Sequence, residues 1–373
     1  MRNLPQQIGL RIVGPLMAAA LALTLGACQT TQTKTSSQAL VWPGPEEPRF
    51  YWEQTLQSSG DITEESQQQR LRRMATGETT SGHSLQKPWG VAAFDGRVYI
   101  GDTVARRVHV YDLRAKKYSI IGDTGVGALA KPLDIAIDAG GLVYVCDNSG
   151  RRIVVFDTDG KFLRSIGGPE TLQRPSSVAV SRDGSRIYVV DTGGITSDKH
   201  QVTVFDAQGK VVNTIGTRGS GPGQFNLPIA MTLSPKTGNI FVVDGGNFRV
   251  AVFSPDGKFI RNFGDVGRNS GQFARPKTIA ADREGNVYVT DAAFGNFQIF
   301  NEEGQFLLDV GQRGGEGAGG QFMLPAGIGI DQSDGRVYVV DQFFPKVDVF
   351  RPVDTPETRA PRAPSGDVKE AKK

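Results

Sequence analysis

Cysteine and histidine are scarce in this sequence. Its 373 residues include only two cysteines and three histidines. Two cysteines cannot form the disulfide network on which many small secreted domains depend. The formal net charge is only +3, so any electrostatic function must come from where the charges lie. A long apolar run is also missing, because the segment from Ile12 to Leu25 is shorter than the roughly 20 residues that a transmembrane helix needs.

The N-terminal segment predicts export. Two arginines precede the apolar run, which ends in Leu25-Gly26-Ala27-Cys28 and resembles the lipobox of bacterial lipoproteins. The resemblance implies a signal peptide over residues 1–27, a lipid such as palmitate on Cys28 and a membrane anchor through that lipid. It also implies a place in the cell envelope, and Gln29 favours the outer membrane. An ordinary secretory signal with a chance cysteine is the alternative.

Two further segments are too polar to form a core. Residues 28–48 are rich in Thr, Ser, Gln and Pro and predict a flexible tether, and residues 353–373 predict a disordered tail. The second cysteine, Cys146, lies in an apolar strand pattern and is expected to be a buried small residue. With Cys28 acylated no disulfide can form within the chain, so the stability of the exported domain must come from its core.

Between these segments one pattern occurs six times. Each repeat has a proline, an apolar strand, a tight turn, a second strand that ends in aspartate and a third that ends in an aromatic residue. A pattern repeated in this way indicates structural units that are stacked or arranged around an axis. The prolines are Pro88, Pro132, Pro175, Pro228, Pro276 and Pro325, and the aspartates are Asp102, Asp147, Asp191, Asp244, Asp291 and Asp341.

Each repeat predicts four short strands. Alternating polarity, β-branched residues and turn pairs such as Asp256-Gly257 support this prediction. Six four-stranded antiparallel meanders predict an all-β, six-bladed β-propeller over residues 49–352, with blade repeats from about residue 82. The sixth repeat lacks its fourth strand, and the segment from Arg49 to Leu56 has the length and aromatic alternation to complete it and close the ring. A free capping strand is the alternative.

The turns ahead of three prolines carry a family resemblance. The segments Gly223-Gln224-Phe225, Gly271-Gln272-Phe273 and Gly320-Gln321-Phe322 resemble NHL repeats. With the Tyr-Val-x-Asp strand ends, the resemblance covers about residues 82–351 and implies a six-bladed propeller. Lipobox and propeller together look like bacterial NHL-repeat lipoproteins of unassigned activity.

Some relatives with this fold are enzymes, so a metal-dependent lyase or hydrolase with its site at the central channel is the main alternative function. By resemblance, amidating lyases use histidine-bound zinc and gluconolactonase-like propellers hold calcium. Here His83, His109 and His200 occupy different positions within the repeat and are not expected to converge on one zinc ion. The six strand-ending aspartates are expected to serve the scaffold. No catalytic residue, metal or cofactor is predicted.

The start of the first strand in each blade should line the channel. Trp89, Asp134 and Lys277 are the candidate contacts there. Asp134 and Lys277 are predicted to contact a ligand or to pair with each other, and ordinary solvated channel residues are the alternative.

The placement of basic residues indicates a binding surface. In a four-stranded meander the loops before the first strand and after the second strand lie on one rim, and these loops are rich in Lys and Arg. We expect this rim to bind a protein, a peptide, an acidic polysaccharide or a phosphate-bearing lipid without catalysis, and we expect no nucleic acid partner in the envelope. The alternative is that the cations bond the strand-ending aspartates and loop carbonyls. The candidates are Lys87, Lys131, Arg174 and Arg275 in one loop class and Arg106, Arg107, Arg151, Arg152, Arg249 and Lys346 in the other.

Overall fold

The computed structural model describes residues 40–44, 47–63, 71, 74–76 and 82–353. The predicted signal peptide, most of the predicted tether and the tail beyond residue 353 lie outside them. Within the described residues, no helix is both long and apolar enough to span a bilayer. Within these residues, helical structure is confined to two single 3-10 turns at Ser59–Asp61 and Gly245–Asn247 and to residues 71 and 74–76.

The regular secondary structure of the described chain is almost entirely β-strand, arranged as six antiparallel blades. Two strands come first, β1 (Val41–Trp42) and β2 (Phe50–Leu56). Blade one is β3 (Pro88–Phe94), β4 (Arg97–Asp102), β5 (Arg107–Asp112) and β6 (Lys117–Ile121), and blade two is β7 (Pro132–Ile137), β8 (Val143–Asp147), β9 (Arg152–Phe156) and β10 (Phe162–Ile166). Blade three is β11 (Pro175–Val180), β12 (Arg186–Asp191), β13 (Gln201–Asp206) and β14 (Val211–Ile215), followed by a two-stranded link of β15 (Thr217–Arg218) and β16 (Gln224–Phe225).

The second half repeats this plan. Blade four is β17 (Pro228–Leu233), β18 (Ile240–Asp244), β19 (Arg249–Phe253) and β20 (Phe259–Phe263), and blade five is β21 (Pro276–Ala281), β22 (Val287–Asp291), β23 (Asn296–Phe300) and β24 (Phe306–Val310). A second link, β25 (Gln312–Arg313) and β26 (Gln321–Phe322), leads to β27 (Pro325–Ile330), β28 (Val337–Asp341) and β29 (Lys346–Pro352) of blade six. We call the strands of each blade a to d in the order of the sheet.

Strand β2 completes blade six, which confirms the predicted closure. The order of this sheet is β1-β2-β29-β28-β27, so β2 takes the place of strand d. Trp52 of β2 pairs with Phe350 of β29. Strand β1, which the sequence assigned to the flexible tether, is ordered and adds a fifth strand at this edge. The blade that joins the two chain ends therefore has five strands, whereas each of the other five blades has four.

The core lies between neighbouring blades. Strands b are buried along their whole length in four blades, as in Val143–Asp147, and in all but the first residue in blades one and three, because adjacent blades cover both faces of an inner strand. Strands d alternate instead, so Phe162–Ile166 has one face exposed. The phenyl rings of Phe225, Phe273 and Phe322 in the repeated Gly-Gln-Phe turns are fully buried. These turns therefore plug the spaces between blades.

Candidate binding face and channel

The strand-ending aspartates hold two classes of loop together. In blade two, the Asp147 carboxylate accepts hydrogen bonds from the backbone N–H of Lys131 at 2.8 Å and of Ala130 at 3.1 Å, before strand a. It also lies 3.3 Å from the N–H of Gly150, after strand b. All six of these aspartates are fully buried. They satisfy buried backbone donors, which is the structural role expected from the sequence.

Blade one shows the same arrangement with an additional partner. Asp102 accepts from the backbone N–H of Gln86 at 2.6 Å and of Ala105 at 2.9 Å. Burial acts to raise the pKa of this carboxyl, but the His109 ring, whose Nε2 atom lies 3.6 Å away, and the hydrogen bonds from the backbone outweigh it and lower the pKa to about 2. The carboxylate is therefore charged at all physiological pH values.

Because each aspartate bonds both loop classes, the loops before strand a and after strand b form one surface, which we call the basic face. In five of the six blades, the residue before the blade proline is fixed on this face at both backbone groups. In Lys131, for example, the carbonyl oxygen accepts a hydrogen bond from Asn148 at 3.0 Å while the N–H bonds Asp147. The same clamp holds the backbone of Lys87, Arg174 and Arg275. The positions at which their side chains are attached to the basic face are therefore fixed.

Six of the ten predicted basic residues are exposed on this face. Within the described part of the chain, their side chains make no ion pair and no hydrogen bond, and the exposed acids Asp123 and Glu170 of the same loops do not pair with them. Five of the six belong to blades one to three. We call these residues the exposed cations: Lys87, Arg106, Lys131, Arg151, Arg174 and Arg275.

The other four predicted basic residues have structural partners. The Arg249 guanidinium lies 3.0 Å from Asp244 and donates to the carbonyl oxygens of Ser220, Gly221 and Gln224. In the same way Arg152 bonds the Ala128 carbonyl at 2.7 Å and lies 3.5 Å from Asp147, and Arg107 bonds the carbonyl of Ala105. These three arginines therefore follow the alternative prediction, in which the cations bond aspartates and loop carbonyls.

Lys346 is the clearest correction. Its side chain is fully buried, and its ammonium group donates to Asp348 at 2.7 Å and to the carbonyls of Gly317 and Ala318. The Phe322 ring lies 5.2 Å away. A ligand on the basic face cannot reach this group, so the assignment of Lys346 to a ligand contact was wrong. The alternation of Lys346 and Asp348 along one strand places both on the same side, and this spacing was the available signal.

The opposite face, formed by the other two loop classes, carries mixed charge. Arg97 lies 3.1 Å from Asp112, and Lys258 lies 2.8 Å from Asp256. Arg114 pairs with Asp95. These three cations have acids beside them, whereas the exposed cations do not. The two faces of the disc therefore differ in their electrostatic character.

The channel is lined by the starts of strands a, which contact one another around the axis. Trp89 and Lys277 both follow a blade proline and are half-buried, and the Lys277 ammonium lies 6.0 Å from the centre of the Trp89 ring. Burial lowers the pKa of Lys277, and the nearby charge of Arg275 lowers it further. Lys277 and Asp134 do not pair, since no acid of the described chain lies within ion-pair distance of this lysine.

Asp134 occupies the next level of the channel. Its Oδ2 atom accepts hydrogen bonds from the Ser177 hydroxyl at 2.5 Å and from the backbone N–H of Val178 at 3.1 Å. Burial raises the pKa of Asp134 to about 6, although these hydrogen bonds act in the opposite direction. The Ser177 oxygen in turn accepts from the N–H of Met231, so one hydrogen-bonded chain links blades two, three and four.

The three histidines lie in two separate places. The Nδ1 atom of His109 lies 2.7 Å from the Tyr118 hydroxyl, and the His83 ring stacks against the Tyr118 ring with the centroids 5.5 Å apart. His200 is fully buried between the Gly194 carbonyl, 2.9 Å from Nε2, and the Leu227 N–H, which donates to Nδ1. Among the described residues, no group of three or more His, Cys, Asp or Glu side chains is placed to hold a metal ion.

Two family models match parts of the chain. Residues 94–193 match the SMP-30/gluconolactonase/LRE-like region, and residues 281–351 match a 6-bladed β-propeller. RING finger protein nhl-1 of Caenorhabditis elegans is 39% identical over 70 residues, which are 18% of this chain and 7% of that protein. Protein brain tumor of Drosophila melanogaster is 30% identical over 101 residues, 26% of this chain and 9% of that protein. The chain thus spans less than a tenth of the length of each of these relatives.

Solved structures share the fold at low identity. A gluconolactonase from Xanthomonas campestris has a TM-score of 0.54 at 19% identity, over 72% of this chain and 86% of that one. Virginiamycin B lyase from Staphylococcus aureus has a TM-score of 0.53 at 13% identity, over 81% and 99%. A protein of unknown function from Bacteroides thetaiotaomicron has a TM-score of 0.55 at 18% identity, over 73% and 70%. The fold is a six-bladed β-propeller, and its repeats are similar to parts of NHL-repeat proteins.

Proposed function

We propose that this propeller binds an extended anionic ligand on its basic face and performs no chemistry on it. The observation that carries the proposal is the set of six exposed cations without acid partners. Side chains such as Lys131 and Arg174 start from backbone positions that the buried aspartates fix, so their points of attachment are set before a ligand arrives. Several charges of one sign on one face attract a ligand of opposite charge.

The spread of the exposed cations over blades one to three favours a polymer over a small anion. Lys87, Lys131 and Arg174 occupy the same repeat position in three successive blades, so an anionic chain that crosses these blades meets a charge on each. We further propose export and anchoring of the domain through a lipid on Cys28, which lies outside the described residues. Nucleic acid is then not the expected ligand, because the cell envelope holds little of it.

The second candidate function is a metal-dependent lyase or hydrolase in the channel. The observation in its favour is Asp134, a half-buried carboxyl whose pKa burial raises to about 6, a value suited to proton transfer near neutral pH. The described residues do not fit a metal, however, since they offer no cluster of three ligands. The likeness to gluconolactonase and virginiamycin B lyase is below 25% identity and supports the fold alone.

The experiment compares two matched charge reversals of the purified protein. One variant carries Lys87→Glu, Lys131→Glu and Arg174→Glu on the basic face. The control carries Lys161→Glu, Lys210→Glu and Arg182→Glu, three exposed residues of the opposite face, so both variants have the same net charge. Fluorescein-labelled polygalacturonate and inorganic polyphosphate serve as anionic probes, and fluorescence anisotropy is measured at several salt concentrations.

The proposal predicts that the basic-face variant loses at least about tenfold in affinity for polygalacturonate while the control loses far less. Binding of the unmodified protein should weaken as salt rises, because exposed charges are screened. Equal losses in both variants, or no binding of either probe by the unmodified protein, would refute the proposed function.

A further inference from the structure

The channel mouth brings together three side chains of different chemistry. The Lys277 ammonium is half-buried and has no acid partner within the described chain, and it lies 6.0 Å from the centre of the Trp89 ring. Asp134 is also half-buried at the next level. The Asp134 backbone adjoins the Trp89 strand, since a Cβ on Gly90 would lie 2.8 Å from the Asp134 Cα, and its carboxylate turns toward Ser177 and Val178 of blade three.

Tight backbone packing keeps these groups adjacent. A Cβ atom on Gly90, which follows Trp89, would lie 2.4 Å from the Leu133 oxygen and 2.8 Å from the Asp134 Cα. On the other side, a Cβ atom on Gly327 would lie 2.2 Å from the Trp89 carbonyl oxygen. Blades six, one and two can approach this closely only because both residues are glycines. The backbone of Trp89 is therefore held between blade two, which carries Asp134, and blade six.

Each group prefers a different part of a ligand. An unpaired lysine in a partly desolvated site favours a carboxylate or phosphate, and an aromatic face favours an apolar ring surface. The Asp134 hydrogen bonds to Ser177 and Val178 go to Oδ2, and because a carboxylate has about four acceptor positions it keeps capacity to accept a hydrogen bond from a hydroxyl group. A ring that carries both a carboxylate and hydroxyl groups satisfies all three.

We infer that the channel mouth binds one uronic-acid residue of an acidic polysaccharide. The carboxylate of the sugar pairs with Lys277, its ring lies on Trp89, and one of its hydroxyls donates to Asp134, while the rest of the polymer follows the exposed cations. The inference rests on the proposed function, since it names the ligand class of the same face. A phosphate polymer offers charge without a ring or hydroxyl donors, and it would meet the negative charge of Asp134.

The experiment uses three small probes with the purified protein. Trigalacturonate has rings, hydroxyls and carboxylates, cellotriose has rings and hydroxyls without charge, and tripolyphosphate has charge alone. Binding is followed by tryptophan fluorescence, and Trp89→Phe assigns the signal because Trp42 and Trp52 lie in and beside the closing sheet. We expect a fluorescence change with trigalacturonate that is lost in Trp89→Phe, and little or no change with the other two probes.

Two channel variants and one control complete the test. Lys277→Met and Asp134→Asn should each weaken trigalacturonate binding by about tenfold, the effect of one charge-assisted hydrogen bond. Lys161→Met, an exposed lysine of the opposite face, should leave the affinity unchanged. Tripolyphosphate binding as tight as that of trigalacturonate, or an unchanged affinity in Lys277→Met, overturns the inference.

The two proposals fail in different ways. If polygalacturonate binds through the exposed cations but trigalacturonate gives no signal at Trp89, the inference about the channel mouth is wrong and the proposed function stands. If neither polygalacturonate nor polyphosphate binds, the proposed function is wrong and the inference falls with it.

Discussion

Arg336 and Glu53 form a bidentate ion pair although 283 positions separate them in the chain. The Arg336 Nε atom donates to Glu53 at 2.7 Å and a terminal nitrogen donates at 3.0 Å. Glu53 lies in β2, the strand that completes blade six, and Arg336 lies just before β28. The pair therefore links the two ends of the propeller at the place where the ring closes, beside the hydrogen bond of Thr55 to Asp348 at 2.6 Å.

The closing ion pair should contribute measurably to stability. Both side chains are mostly buried, so Glu53→Gln should lower the free energy of unfolding by about 1 to 3 kcal/mol in urea titrations. Lys258→Gln breaks a highly exposed pair with Asp256 and should cause no detectable change. If the two variants prove equally stable, β2 does not hold the ring closed through this contact.

The buried aspartates should be among the most sensitive positions of the fold. Asp147→Ala leaves the N–H groups of Ala130 and Lys131 without their acceptor and should cost about 3 to 5 kcal/mol in unfolding free energy. Asp147→Asn keeps one acceptor oxygen and should cost less. Asp159→Ala, at an exposed turn, is the control, and a loss in Asp147→Ala no larger than that of the control argues against the structural role.

The close approach of blades six and one should not tolerate a side chain. Gly327→Ala places a methyl group 2.2 Å from the carbonyl oxygen of Trp89 and should lower the unfolding free energy by about 1 to 3 kcal/mol. Gly168 has open space around its Cβ position, so Gly168→Ala should be neutral. Calorimetry of both variants checks this, and a fully stable Gly327→Ala would show that the channel wall is looser than described.

Asp134 should make stability depend on pH with a definite sign. Its pKa is raised from 3.8 to about 6, so between these values the folded protein binds more protons than the unfolded chain. The contribution of Asp134 to stability is therefore full below about pH 4 and is lost as pH rises to about 6. The difference between the unfolding free energies of Asp134→Asn and the unmodified protein should grow across this window and then level off. A difference that is constant from pH 4 to 7 contradicts the shift.

Much of the fold could be predicted because the same sequence pattern occurs six times. The prolines, the turn pairs and the strand-ending aspartates define the blades, and the missing fourth strand of blade six pointed to β2. Strand β1 could not be predicted, because Val41 and Trp42 are two apolar residues in a polar segment. They form a strand only because the edge of β2 is there to pair with them.

The division of the basic residues into exposed and structural sets also depends on tertiary contacts. Arg107, Arg152 and Arg249 occupy the same repeat position, yet Arg249 is bonded to three carbonyls and Arg107 to one. In blades two and four, the arginine at this position lies beside the strand-ending aspartate. In blade one, His109 lies 3.6 Å from the corresponding aspartate, Asp102. The sequence shows that the loops are basic, but only the packing shows which charges are left for a ligand.

The most direct test of the central claim is lysine footprinting by mass spectrometry with and without polygalacturonate. The account predicts that Lys87 and Lys131 lose reactivity toward an amine-specific reagent when the polymer is bound, while Lys161 and Lys210 on the opposite face keep theirs. Protection of all four lysines to the same degree, or of the opposite face alone, would contradict a binding surface on the basic face.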